Sequence, residues 1–204
     1  MNVAAIVLAA GRRARFDAAR GKLLADYGGR PLVRHAVEAA LGSKASKTII
    51  VTGHARDEIE RALAGLPVVF AYNPDFASGM ASSLRAGLAH AADSAGALAL
   101  LADMPDVTSA ILDRLIAAFN CAPERVAVAP VYQGRRGNPV LLGRSLFPRL
   151  ALLKGDEGAR RLLGSTEGVL EIAVDDKSVL ADIDTREDLE RGKRRSLPIV
   201  VDCG

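Results

Sequence analysis

The chain has 204 residues, 50% hydrophobic and 4% aromatic, and its 27 Lys and Arg stand against 24 Asp and Glu for a formal net charge of +3. This length and balance predict one soluble globular domain with a sizeable core. The longest apolar runs, residues 3–10 and 95–102, fall far short of the ~20 residues that span a bilayer, which excludes a transmembrane helix.

Short apolar runs alternate along the chain with longer Ala, Leu and Arg-rich segments of helical period. A strand is expected at 3–8, then a basic stretch, then a helix at 32–41 that begins after Pro31 and stops at Gly42. Strands at 48–52, 68–71, 97–101 and 126–131 follow, with helices at 56–63, 80–92 and 109–119 between them. Each strand is apolar on both faces, as buried parallel strands are. The pattern predicts an α/β fold: a doubly wound, mostly parallel sheet in a single domain. Beyond residue 131 closely spaced Gly and Pro break the rhythm, which reads as an elaborated second half. Residues 187–195 read as a charged surface helix, followed by an apolar stub at 197–201. The expected boundaries are a domain at 1–195 and a C-terminal tail at 196–204.

No Lys or Arg precedes the first apolar run and a cluster of arginines follows it, the reverse of a secretory leader, so a cytoplasmic location is expected. Cys121 and Cys203 lack CxxC spacing and indicate neither a zinc site nor a disulfide framework. His35, His54 and His90 share no metal or triad spacing. The positive charge sits at the N-terminus, where residues 1–34 hold seven cationic side chains against Asp17 and Asp26. With Trp absent and acidic residues interspersed elsewhere, this concentration suits a compact phosphate chain better than a nucleic-acid track.

In an open parallel sheet, ligands lie at the carboxyl ends of the strands. The first strand runs into Leu8-Ala9-Ala10-Gly11-Arg12-Arg13-Ala14-Arg15-Phe16 and on to Lys22. Small residues at 9–11 let the backbone approach a bound group, while Arg15 and Lys22 add charge-assisted bonds to phosphate. The stretch is neither a Walker A loop nor a GxGxxG fingerprint, which disfavours a nicotinamide-dependent oxidoreductase. Leu101-Ala102-Asp103-Met104-Pro105 ends another strand, and a carboxylate there suits Mg²⁺ shared with phosphate oxygens. Residues 73–84 open a helix whose amides and the hydroxyls of Ser82 and Ser83 form either an anion site or simple caps. Gly137-Asn138-Pro139 and Gly155-Asp156 belong to a Gly-rich polar surface able to receive an acceptor. In Asp182-Ile183-Asp184-Thr185-Arg186-Glu187-Asp188, Thr185 is expected as N-cap with Asp188 three residues on. Asp182, favoured over Asp184, would complete a Mg²⁺ site with Asp103.

These residues resemble the MobA-like nucleotidyltransferases, and most closely the branch that contains molybdenum cofactor cytidylyltransferase. The resemblance rests on Leu8-Ala9-Ala10-Gly11 through Lys22, Asp103-Met104-Pro105, Asn73-Pro74-Asp75-Phe76 with Gly79-Met80 and Ser82-Ser83-Leu84, Gly137-Asn138-Pro139, Gly155-Asp156-Glu157-Gly158-Ala159-Arg160, and Asp182-Ile183-Asp184-Thr185 with Glu187-Asp188-Leu189. They run in the expected order from residue 3 to about 190. Arg13 stands where Ser is usual, Asp17 where Gly is usual, and Lys22 lies a residue or two farther from Gly11 than is typical.

The resemblance implies a Rossmann-like nucleotidyltransferase fold and a Mg²⁺-dependent transfer of CMP from CTP to the terminal phosphate of a molybdopterin-type cofactor, with pyrophosphate released. The LAAG form is associated with cytidylyl transfer. Leu8, Ala9, Ala10, Gly11, Lys22, Ser82, Ser83 and Asp103 would bind nucleotide; Arg15, Lys22 and Asp103 would be catalytic. Gly137, Asn138, Pro139, Gly155 and Asp156 would meet the acceptor, and a molybdoenzyme or its chaperone would receive the product. The alternatives are a guanylyltransferase, a sugar or polyol phosphate nucleotidyltransferase, or a degenerate nucleotide-binding regulator or chaperone of a molybdoenzyme.

Overall fold

The computed structural model describes residues 1–11, 21–122, 124–156 and 159–196, with backbone alone at 160, 161 and 194–196. The chain opens with β1 (Val3–Leu8), the short strands β2 (Asp26–Tyr27) and β3 (Arg30–Pro31), and α1 (Leu32–Leu41). It continues through β4 (Lys47–Thr52), α2 (Arg56–Ala62), β5 (Val69–Tyr72), α3 (Met80–His90), β6 (Gly96–Leu101) and α4 (Ser109–Cys121). The second half contains β7 (Ala127–Tyr132), β8 (Arg135–Arg136), β9 (Val140–Gly143), α5 (Phe147–Leu150), α6 (Ala159–Gly164), β10 (Val169–Ala173) and α7 (Arg186–Ser196). The expected stub at 197–201 lies outside the described residues.

The main sheet runs β10-β7-β9-β6-β1-β4-β5, β8 pairs with β7, and β2 and β3 form a separate hairpin. β1 is parallel to both β4 and β6, β4 to β5, and β7 to β10. Along this path β9 alone is reversed, antiparallel to β6 and β7. The expected single-domain, mostly parallel α/β sheet is therefore present, and the elaboration after residue 131 includes the short strand β8, the reversed strand β9, the short helices α5 and α6, the parallel strand β10 and the helix α7.

The alternation of side chains along β1 explains the double winding. Val3, Ala5 and Val7 enter a core with Val33 of α1, Ile59 of α2 and Leu112 of α4. Ala4 and Ile6 point the other way, into a core with Leu84 of α3, Leu150 of α5 and Leu163 of α6. Both faces of the strand are thus buried, which its unbroken apolar sequence requires. On the second face α3 lies so close to β1 that a β-carbon at Gly87 would overlap Ile6 Cγ2.

A third, small core of Tyr27, Leu32, Ile183 and Leu189 docks α7 on the hairpin. Tyr27 Oη donates to Asp106 Oδ1 at 2.7 Å, and the His35 ring meets Tyr27 edge-on with centroids 5.1 Å apart. The start of α7 is closed as its sequence predicts. Thr185 N–H and Oγ1 donate to Asp188 Oδ2 at 3.0 and 2.8 Å, and Asp188 N–H returns a bond to Thr185 Oγ1 at 3.1 Å.

Two outcomes test this packing. Gly87→Ala should lower the urea midpoint, because overpacking costs about 1–3 kcal/mol and outweighs the ~1 kcal/mol that Ala gains over Gly in a helix; a raised midpoint would show that α3 has room to move. Thr185→Ala should cost about 1 kcal/mol. The Thr185 hydrogen bonds hold the Asp188 carboxyl below its usual range, so its contribution is present above the unfolded value of about 3.9 and lost as pH falls through the folded value. The stability gap between the wild type and Asp188→Asn should therefore shrink as pH drops below about 4.

Candidate active site

The register of the central strands assembles the site. Leu8 is level with Val51 of β4 and with Leu101 of β6, so three parallel strands end along one line. The ladder persists one step further, with Ala9 N–H donating to Val51 O at 2.9 Å and Ala102 N–H to Leu8 O at 3.3 Å. Ala9, Ala10 and Gly11 thus leave the sheet beside Asp103. Lys22, on a single 3₁₀ turn at Lys22–Leu24, reaches back to the same point.

The Lys22 ammonium lies 2.7 Å from Asp103 Oδ2 and 2.9 Å from Asp184 Oδ1. Partial burial alone would lower the lysine pKa, yet the charges and hydrogen bonds of Asp103 and Asp184 outweigh it and raise the value. Lys22 is therefore firmly protonated at neutral pH. Asp182 is held above the usual carboxylate range by partial burial first, then by the charges of Asp184 and Asp103, against which Lys22 acts. The acidic segment arrives by a backbone bond, Ile183 N–H to Asp103 O at 2.9 Å. A cavity of 240 Å³ opens beside these groups, lined by Leu8, Ala9, Gly11 and Gly21, by Lys22, Leu23 and Leu24, by Ala55 and Ile59 of the β4–α2 connection and helix, and by Asp103.

Asp103 Oδ1 is buried and has no hydrogen-bond partner among the described residues, an acceptor of the kind a hard cation satisfies. Among the described residues no three His, Cys, Asp or Glu side chains form a metal cluster by themselves. That fits Mg²⁺, which is usually held by one or two carboxylates together with substrate phosphates. Asp103 and Asp182 are thus near one another, as the sequence suggests, but it is Asp184, the less favoured acid, that shares Lys22.

The other expected site residues divide into groups. Ala10 is buried, and Gly53 is the residue that makes room for it: a β-carbon at 53 would stand 2.8 Å from Ala10 Cβ and 2.7 Å from Phe76 Cβ. Ser82 and Ser83 are buried and face inward. Asn73 Nδ2 donates to Ser82 Oγ at 2.9 Å and to Ser83 Oγ at 3.0 Å, and Ser82 Oγ lies 2.8 Å from Gly79 O and 3.0 Å from Asp75 O. Their hydroxyls brace the 73–79 turn. Gly155 O accepts from Ala81 N–H at 3.0 Å, which seats the 155–156 loop against Gly79, where φ is +104° and only glycine is at ease. Asp156 is exposed beside it.

Gly137 is pressed against Val179, Gly137 N–H donates to Pro130 O and Asn138 N–H to Val179 O, each at 2.8 Å, and Asn138-Pro139 is a cis peptide. The Gly137–Asn138 backbone therefore buttresses the segment that leads to Asp182 and Asp184. Arg15, with Arg12, Arg13, Asp17, Glu157 and Gly158, lies outside the described residues. Sequence reasoning passed over Gly53, Ala55 and Ile59, although the same strand-end rule applied to β4 points to Gly53–Ala55.

Comparison with known proteins places the chain in a family. Residues 5–169 match the MobA-like NTP transferase domain. Nicotine blue oxidoreductase of Paenarthrobacter nicotinovorans is 34% identical over 200 residues, covering 93% of this chain and 95% of that protein. The bifunctional protein GlmU of Kineococcus radiotolerans is 38% identical over 128 residues, which are 61% of this chain and 26% of that protein, so the chain spans about a quarter of GlmU. The crystal structure of Rv0371c from Mycobacterium tuberculosis H37Rv superposes with a TM-score of 0.84 at 30% identity over 95% of this chain and 97% of that one. Its complex with manganese gives 0.79 at 27% identity over 97% and 100%. The chain belongs to the MobA-like NTP transferase family.

Proposed function

We propose that the protein is a Mg²⁺-dependent nucleotidyltransferase that moves CMP from CTP to the terminal phosphate of a molybdopterin-type cofactor. One observation carries the reading: acids from two distant segments converge on Lys22 beside the Ala9–Gly11 loop, at 2.7 and 2.9 Å. A site of this kind offers charge and alignment, which is what phosphoryl chemistry needs from a protein. The manganese complex of Rv0371c and the LAAG form of the loop add support for a divalent cation and for cytidine.

An oxygen of the acceptor phosphate attacks the α-phosphorus of CTP; the new P–O bond forms as the α–β bridging bond breaks, and pyrophosphate departs. The acceptor is ionised at neutral pH, so no general base is required. Leu8, Ala9 and Gly11 present backbone to the nucleotide, with Ala10 packed behind them. Lys22 and Arg15 offset charge on the phosphate oxygens. Asp103 would hold the cation with help from Asp182 or Asp184, and a bound Mg²⁺ supplies Lewis-acid charge stabilisation. The walls at Gly137, Asn138, Pro139, Gly155 and Asp156 receive the pterin phosphate, with Ser82 and Ser83 keeping the intervening turn in shape. A molybdoenzyme or its chaperone would take the product.

A second reading has one specific observation behind it: the relative matched along 95% of its length is named an oxidoreductase. On that reading the same loop holds the phosphates of a nicotinamide dinucleotide and the 240 Å³ cavity takes a conjugated substrate.

Pyrophosphate release with Mg²⁺ and molybdenum cofactor, run in parallel with CTP, GTP, ATP and UTP, separates the readings. CTP should be preferred, and Asp103→Ala should lose about a hundredfold or more in kcat with its circular dichroism unchanged. A GTP preference would keep the mechanism and overturn the base. Silence with all four nucleotides, beside consumption of reduced nicotinamide in the presence of a dye acceptor, would establish the oxidoreductase reading instead.

A further inference from the structure

Lys22 occupies one oxygen on each of two carboxylates that a divalent cation would use. Its ammonium covers Asp103 Oδ2 at 2.7 Å and Asp184 Oδ1 at 2.9 Å. The second oxygen of Asp103, Oδ1, has no solvent contact. A cation arriving from solution therefore meets this carboxylate on the side that Lys22 covers. Simultaneous occupancy is opposed by like-charge repulsion at a separation of a few ångströms.

The hold of Lys22 is also graded. Its bond to Asp103 joins side chains 22% and 21% exposed, whereas Asp184 is 57% exposed. Exposed pairs are worth little and exchange readily. The lysine stem is long and flexible, and it already lines the cavity with Ala9 and Gly11. An ammonium released from Asp103 is thus within its own reach of the loop where phosphates are expected.

We propose that Lys22 and the divalent cation compete for Asp103 and Asp184, so that Lys22 is a built-in counter-ion whose displacement by the cation delivers its ammonium to the phosphate-binding loop. Asp184 then holds Lys22 in the metal-free state and joins Asp103 in receiving the cation. The inference rests on the reading of Asp103 as a cation ligand. It adds an order of events: the carboxylates are handed from lysine to metal before lysine can serve the nucleotide.

The test is Mn²⁺ binding to the metal-free full chain without nucleotide, followed by electron paramagnetic resonance. Removing the competitor in Lys22→Met should tighten Mn²⁺ binding by about tenfold, while Lys22→Arg, which keeps the charge, should stay within about threefold of the wild type. Unchanged or weaker binding in Lys22→Met would overturn the proposal and make Lys22 a fixed scaffold for the acids. A second measurement does not depend on that variant folding: the rate of reductive methylation of Lys22, read by mass spectrometry. In the wild type it should rise at least about threefold on adding Mn²⁺, and in Asp184→Asn it should already be raised without metal; a rate indifferent to Mn²⁺ refutes the exchange. Mn²⁺ affinity unaltered by Asp103→Asn would remove the cation reading and this inference together. CTP turnover by the wild type, beside Mn²⁺ binding that does not tighten in Lys22→Met, would remove the inference alone.

Discussion

Three parallel strands ending on one line are the constraint on which the site depends. Because Leu8 is level with both Val51 and Leu101, the chain leaves β1, β4 and β6 at neighbouring points, and the exit loops must share one rim. Parallel pairing forces this, since each strand returns through a crossover and begins again at the far edge. A slip of one residue in β6 would carry Asp103 about 3.3 Å along the sheet and turn its neighbours to the opposite face. Lys22 bonds Asp103 at 2.7 Å, so a displacement of that size breaks the contact outright. The buried alternation of Leu98 and Leu100 against Ala97 and Ala99 along β6 penalises such a slip, and apolar packing thereby sets the position of the Asp103 carboxylate.

The second requirement is to bring the end of the chain back to the same rim, and backbone hydrogen bonds do most of this. Asn138 N–H bonds Val179 O, and Ile183 N–H bonds Asp103 O, so 177–184 is guided along the sheet before α7 begins. The α7 cap at Thr185 and Asp188, with Leu189 against Tyr27, then anchors the segment from its other side. Tyr27 ties this anchor to the loop that follows Asp103 through its bond to Asp106. The acids at 182 and 184 are placed by groups on both flanks, which explains how Asp184, 162 positions from Lys22, comes within hydrogen-bond distance of it.

What was legible in the sequence follows from which interactions are local. The strands at β1, β4, β5, β6 and β7 announce themselves as apolar runs, and α1 lies where Pro31 and Gly42 place it. The cap of α7 is equally visible, since Thr185 and Asp188 are three residues apart. β9 was not, because Val140–Gly143 is four residues long and its reversed direction is decided by neighbours far away in the chain. β10 is partly exposed and lacks the two-faced burial that marks the other strands. The hairpin of β2 and β3 had a signal in Gly28-Gly29, a two-residue turn of the favoured kind. In the site, strand-end reasoning found Asp103 and the Ala9–Gly11 loop. It favours Asp182 over Asp184, and that Asp184 is the acid paired with Lys22 is invisible to it, because that depends on where one lysine ammonium lies. Nor could it tell that Ser82 and Ser83 turn inward, which depends on Asn73.

Electrostatics constrains how such a site can be filled. Among the described residues, Asp103 and Asp184 share one ammonium, that of Lys22, and Asp182 lies near enough to feel all three, so the carboxylates repel one another. The raised pKa of Asp182 shows the same crowding from the side of the protein. Added positive charge at the carboxylates relieves the repulsion, and the ammonium of Lys22 can serve the phosphates only if something else then balances Asp103. The histidines take no part in this exchange: His35 meets Tyr27 O, His90 meets Ala86 O and His54 packs on Phe76. If the acceptor is the ionised phosphate proposed above, no proton need be removed, and a corner built from carboxylates and one lysine has the groups that such a transfer requires.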